Sequence, residues 1–121
     1  MDNAFAVFAV AEVPGGIAAT TRAADRGERG RIGLPGGKVD PGETDVLALA
    51  REAAEEGWDL HGSPDTWTMI HEGTVEGRLV RWFQVPGATQ RTKFKERGRI
   101  TPVIRTRAEI ATSGYGNDFL A

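Results

Sequence analysis

Residues 34–58 read LPGGKVDPGETDVLALAREAAEEGW, a pair of glycines and a turn leading into a run with helical spacing. Projected at ~100° per residue from about Thr44 to Glu56, the run places Val46, Leu47, Leu49, Ala50, Ala53 and Ala54 on one broad arc. That arc is the face predicted to bury on a sheet. Glu52, Glu55 and Glu56 fall together on a flanking arc, because side chains three and four positions apart share a helix face. Three carboxylates crowded in this way repel one another unless cations neutralise them, and hard divalent ions such as Mg²⁺ prefer oxygen ligands. The helix is therefore a candidate metal site.

The spacing also resembles a family signature. Gly37, five residues, Glu43, seven residues, Arg51-Glu52, two residues and Glu55-Glu56, with Leu34-Pro35-Gly36 before them, is similar to the pattern of the Nudix hydrolases. There is one departure. The family usually places one residue between Glu-Glu and the next glycine, whereas here Gly57 follows Glu56 directly and Trp58 stands in the glycine slot. The end of the helix, rather than its carboxylates, is where this chain departs.

The resemblance implies an α/β fold, the Nudix-type α/β/α sandwich with a mixed sheet flanked by helices. It implies Glu52, Glu55 and Glu56 as ligands of Mg²⁺ or Mn²⁺, with Gly37 bringing its backbone to the metal. Glu43 and Arg51 are then expected to hold the loop to the helix. The implied reaction is hydrolysis of a phosphoanhydride in a nucleoside diphosphate linked to a moiety X. Among such substrates a MutT-like activity on a (d)NTP is expected, and ADP-ribose, nucleotide sugars and dinucleoside polyphosphates are the other candidates. Members often take a further carboxylate from a late loop, which makes Glu96 a candidate ligand or base; the sequence does not choose between it and the three helix glutamates. A Nudix-fold module that binds a nucleotide without cleaving it is the competing class. The intact glutamate set argues against it.

At 121 residues, a single domain spanning 1–121 is expected. Net charge of −2 and 40% hydrophobic residues fit an ordinary globular chain, and overall charge names no partner. With no cysteine, disulfides, thiol catalysis and cysteine-bound zinc are excluded together. His61 and His71 make no recognisable zinc pair. The apolar run Ala4 to Ala11 is too short to span a bilayer and follows Asp2 rather than a basic region. A cytoplasmic monomer or homodimer acting on a small nucleotide is expected, without a membrane or nucleic-acid partner.

Around the helix, strands are predicted over Ala4–Val13, Ile17–Arg22 and Ile32–Leu34, with a loop from Ala23 to Arg31 and a glycine turn at Pro35-Gly36-Gly37. Arg22, Arg26, Arg29 and Arg31 are candidates for contacting phosphates near that turn, against the alternative of simple solvation, and Lys38 is a further candidate phosphate contact. A loop over Asp59–Pro64 precedes a hairpin, Thr66–Val75 and Arg78–Val85, whose Trp67 and Trp82 read as core. Arg91, Lys93, Lys95, Arg97 and Arg99 surround Glu96, and their alternate spacing predicts one charged face if the segment is extended. Asp40 to Asp59 has the opposite balance, seven acids against Arg51 alone. Metals would collect at the acidic pole and substrate phosphates be steered by the basic one. Ile100–Arg105 reads as an edge or bulged strand because of Pro102, and Thr106 to Glu109 starts a short helix ending near Gly114. By resemblance, Asn117 and Asp118 are candidates for base recognition on what reads as an exposed tail.

Overall fold

The computed structural model describes residues 3–22 and 31–121. Arg26 and Arg29 lie outside the described residues. The strands are β1 (Ala6–Val13), β2 (Gly16–Arg22), β3 (Ile32–Gly33), β4 (Gly36–Lys38), β5 (Trp58–Leu60), β6 (Thr68–Val75), β7 (Arg78–Val85), β8 (Ala88–Gln90) and β9 (Ile100–Arg105). The helices are α1 (Asp45–Glu55) and α2 (Arg107–Ala111), with 3₁₀ turns at Pro64–Thr66 and Asn117–Leu120.

β1 is the hub of a seven-stranded mixed sheet of order β3-β2-β1-β7-β6, with β4 added on β1 and β9 on β2. One edge of β1 runs parallel to β7 from Ala6↔Val80 to Ala11↔Val85. The other edge is divided: Ala6, Val7 and Phe8 pair antiparallel with Lys38, Gly37 and Gly36, and Glu12 and Val13 pair with β2. The two partners take different stretches of β1, and the side chains of β1 alternate between the two faces of the sheet. Val7, Ala9 and Ala11 pack under α1 with Leu49, Ala53, Trp58 and Phe83. Ala6 and Val10 pack on the opposite face with Trp82, Ile110 and Leu120. A sheet between two helical layers, the α/β/α arrangement, follows from that alternation.

Several expectations are corrected. The helix is turned relative to the predicted arc: Leu47 is 54% exposed, whereas Ala48 is fully buried. Asp45 fixes the rotation, accepting the Ala4 N–H at 3.1 Å and pairing with Arg81 Nη1 at 2.7 Å. The sheet-facing stripe becomes Asp45, Ala48, Leu49, Glu52, Ala53 and Glu56, so three acids share that face. Gly36 and Gly37 belong to a strand rather than a turn. Asp59 and Leu60, predicted as loop, pair with β8. The segment from Arg91 to Arg99 is built of turns, so its charges form no single extended face. The tail is exposed only in part: Asn117 is 2% exposed and its Oδ1 accepts the Trp82 Nε1–H at 2.9 Å, whereas Asp118 is exposed. Pro102 does sit in a strand paired on one side only, β9 against β2. Among the described residues no helix is long and apolar enough to cross a membrane.

Candidate active site

Thr44 caps α1 through its side chain, which accepts the Leu47 N–H at 3.3 Å, so the helix starts where the glycine strand and the Asp40-Pro41-Gly42 turn deliver it. Arg51, two turns on, ties that approach down. Its Nε and Nη2 donate to Glu43 Oε2 and Oε1, both at 2.8 Å, and Nη2 also reaches the Lys38 carbonyl at 3.2 Å and Asp40 Oδ2 at 3.3 Å. A two-pronged arginine–carboxylate pair is strong and directional. The Arg51 hydrogen bonds pull the Glu43 carboxyl down to about 2, and Glu43 in turn raises the guanidinium.

The other fork of Arg51 gathers the signature acids. Nη1 donates to Glu52 Oε1 at 3.0 Å and lies 3.5 Å from Glu55 Oε2, which Lys95 Nζ approaches at 4.0 Å. Glu52 presses against β4: a Cβ built on Gly37 would stand 2.5 Å from Glu52 Oε2. Burial raises the Glu52 carboxyl. Glu56 points elsewhere. Only 7% exposed, it accepts the Gly36 N–H at 3.0 Å, and burial pushes its carboxyl up to about 8, with repulsion from Glu52 and Glu96 adding to the effect. Among the described residues no three acid or histidine side chains meet as a group placed to hold a metal. Arg51 supplies the positive charge for Glu52 and Glu55, whereas burial favours the neutral form of Glu56.

The C-terminal end of α1 accounts for the departure in the motif. Glu56 caps the helix and Gly57 follows at φ +101°, a left-handed cap open to glycine. A Cβ there would stand 2.9 Å from Pro102 Cγ and 3.2 Å from the Phe94 ring. Trp58 is then free to start β5, buried, with its Nε1–H on the Ala19 carbonyl at 2.9 Å. The late loop closes over this end, the Glu96 N–H donating to the Glu55 carbonyl and the Arg91 N–H to the Gly57 carbonyl, both at 2.8 Å. The Glu96 carboxylate lies 3.6 Å from Arg99 Nη1.

Glu56 and Gly36 form part of a cleft of about 480 Å³, its mouth included, bounded also by Phe8, Arg22, Arg31, Tyr115 and Asn117. Arg31 stacks its guanidinium 3.9 Å from the Tyr115 ring centroid and donates to the Ser113 carbonyl at 3.1 Å. Arg22, Arg31 and Asn117 are thus brought to the same cleft as Glu56, while Lys38 and Glu96 are not on its lining. Tyr115 was not singled out by the sequence. The signal available was its place between Gly114 and Gly116, which marks a chain reversal.

The NUDIX domain pattern matches residues 2–96. The chain belongs to the Nudix hydrolase family. Over 68 residues, 55% of the chain, this Nudix protein is 37% identical to mRNA decapping complex subunit 2 of Schizosaccharomyces pombe, and the match spans 9% of that protein. The MutT NUDIX hydrolase of Burkholderia pseudomallei superposes with a TM-score of 0.69 at 18% identity, over 99% of this chain and 96% of the other. The E. coli ORF135 protein superposes with a TM-score of 0.63 at 25% identity, over 98% and 84%. These likenesses carry the fold.

Nudix hydrolases generally use a divalent metal, and the donor atoms present suit one in kind, although the three side chains are not gathered into one group. Glu52, Glu55 and Glu56 offer hard oxygen atoms only, as Mg²⁺ and Mn²⁺ require. The Gly37 position has no Cβ to separate β4 from Glu52, and Glu56 is a buried acid whose ionisation a cation would restore.

Proposed function

We propose that this chain is a Mg²⁺- or Mn²⁺-dependent hydrolase of the phosphoanhydride in a nucleoside diphosphate linked to a moiety X, with a (d)NTP as its simplest substrate. The observation that carries the reading is the place of Glu56: a signature carboxylate, buried against the Gly36 N–H, on the wall of a cleft whose rim holds Arg22 and Arg31 and whose sides include Phe8 and Tyr115. Acid, cation and aromatic surfaces meet there, which suits an anionic ligand with an aromatic end.

A phosphoanhydride resists water largely because its oxygens repel a nucleophile. A divalent ion held by Glu52, Glu55 and Glu56 would withdraw that charge and acidify a water for in-line attack. Arg22 and Arg31 neutralise phosphate oxygens from the rim, and Phe8 and Tyr115 enclose the base. Arg51 keeps Glu52 and Glu55 together on one side of β4, and the Gly36 N–H keeps Glu56 Oε1 oriented. Glu52, Glu55, Glu56 and Glu96 are the candidates for taking the proton from water, and comparing the turnover of the four Glu→Gln variants separates them.

The test is a panel of dNTPs, NTPs, dinucleoside polyphosphates, ADP-ribose and nucleotide sugars with Mg²⁺ or Mn²⁺, following release of nucleoside monophosphate and pyrophosphate. Turnover of at least one member is expected. No turnover across the panel, alongside measurable nucleotide binding, would leave a binding module instead.

A further inference from the structure

On the wall of the cleft Tyr115 holds a backbone that side chains rarely adopt. It is a non-glycine residue at φ +61°, between Gly114 at φ +94° and Gly116 at φ +78°. A left-handed backbone is costly for any residue with a Cβ, and it persists where the surroundings enforce it, often beside a ligand. The turn that enforces it here is anchored at both ends. The Ser113 N–H donates to the Ile110 carbonyl at 3.1 Å and the Asn117 N–H to the Gly114 carbonyl at 3.2 Å, while Trp82 fixes the Asn117 side chain in the core. Glycine in place of Tyr115 would make the same turn without strain, so the turn alone does not account for the ring.

The ring faces Arg31. Its centroid lies 3.9 Å from Arg31 Cζ, the Arg31 Nε–H donates to the Ser113 carbonyl at 3.1 Å, and a Cβ on Gly114 would stand 2.5 Å from Nη2. The guanidinium is thus laid along the turn from Ser113 to Tyr115. Stacking covers the face of a guanidinium and Ser113 takes its Nε, which leaves the in-plane N–H groups of Nη1 and Nη2 for an anion. Among the described residues no carboxylate pairs with Arg31. Arg31 is exposed, and an exposed arginine samples many rotamers that a ligand must freeze out on binding. Holding the side chain in advance removes that cost.

Resting on the reading of this cleft as a nucleotide site, we infer that Tyr115 is a positioning residue for Arg31, its ring holding the guanidinium at the rim so that Nη1 and Nη2 meet a substrate phosphate without reordering. Tyr115 therefore sets affinity through Arg31, in addition to bordering the base. The reverse relation, in which Arg31 serves the turn by tying it to β3, leads to a different outcome: loss of either side chain would lower stability and leave KM unchanged.

A double-mutant cycle on the full chain tests the coupling. With the panel substrate that turns over fastest, Tyr115→Leu should raise KM about three- to fivefold at nearly constant kcat, the scale of a cation–π contact at an exposed site. Tyr115→Phe keeps the ring and should stay within about 1.5-fold of wild type. In an Arg31→Ala background, Tyr115→Leu should raise KM by less than about 1.5-fold, since the partner it acts through is gone. Tyr115→Gly relieves the backbone, so it should reproduce the KM increase with a Tm no lower than that of Tyr115→Leu, which separates the lost stack from misfolding. A direct readout needs no substrate: the nitrogen–proton NMR signal of the Arg31 Nε–H, assigned by its absence in Arg31→Ala. It should be displaced by the ring current in wild type and Tyr115→Phe, and return to the position of solvated arginines in Tyr115→Leu. Equal KM increases in the two backgrounds, or an NMR signal that Tyr115→Leu leaves in place, overturns the inference. No turnover of any panel member overturns the proposed reaction instead, and the arginine signal then decides the positioning by itself.

Discussion

Arg51 and Glu43 meet fork to fork, Nε on Oε2 and Nη2 on Oε1, each at 2.8 Å. This pair joins the loop before α1 to the helix that carries the acids, so the two halves of the signature move as one. The Glu43 carboxyl is drawn from an ordinary 4.5 to about 2, first by Arg51 and then by the Asp40 N–H. A depressed carboxyl stabilises the fold above its unfolded value and loses that contribution as pH falls through the folded one. Glu43→Gln should therefore lower Tm at neutral pH and flatten the acid limb between about pH 4.5 and 2, followed by thermal melts across that range. An acid limb unchanged in the variant would show that the pair does not couple to folding.

Glu56 has the opposite sign. Burial raises its carboxyl from 4.5 to about 8, so the folded state binds the proton more tightly than the unfolded chain. Its contribution is complete below pH 4.5 and is lost as pH rises toward about 8. Glu56→Gln should remove that falling limb and be at least as stable as wild type at pH 8.5, while turnover falls at least ~10²-fold. Melting curves with and without Mg²⁺ add a check: the metal should raise the Tm of wild type in alkaline buffer more than that of the variant. Wild-type turnover from Glu56→Gln would sink the proposed site.

The two glycines of β4 should respond differently to alanine. At Gly36 the new Cβ would stand 2.0 Å from the Val7 carbonyl oxygen, which is backbone and cannot yield, so Gly36→Ala should unfold or strongly destabilise the protein. At Gly37 the obstacle is the Glu52 carboxylate, the end of a flexible side chain. Gly37→Ala should keep a near-normal Tm but lose activity, because Glu52 is displaced. Parallel melts and turnover assays on the two variants give the comparison.

At the end of α1, Gly57→Ala forces a left-handed backbone and a contact with Pro102 and should cost about 1–3 kcal/mol. Inserting one alanine between Glu56 and Gly57 restores the usual family spacing and should be worse, since it moves Gly57 and Trp58 from their slots and strands the Ala19 carbonyl. Denaturant melts rank the two. An insertion variant as stable as wild type would mean that Trp58 does not anchor this end.

Much of this was legible in residue order. The spacing from Gly37 to Glu56 is local, and a helix of that length fixes which side chains are neighbours, so the acids and the Arg51–Glu43 pairing could be anticipated. The rotation of α1 could not. Ala48 and Leu47 differ little as local helix signals, and the choice was made by Asp45 meeting Arg81 and Ala4 from distant strands. The tail shows the same division: Asn117 reads as a polar terminal residue, yet Trp82, thirty-five positions earlier, draws it into the core.

By itself the sequence determined the family, the helix and the acids it carries, because those rest on short-range spacing and side-chain chemistry. Tertiary structure decided where each donor points and what surrounds it. It set Glu52 and Glu55 on Arg51, buried Glu56 against Gly36, and closed the short helix end with Phe94 and Pro102. It also brought Tyr115 beside Phe8 and set Phe5 between Lys38 and Arg78. These are contacts between residues far apart in the chain, and the packing of the whole sheet, rather than any local preference, selects among them.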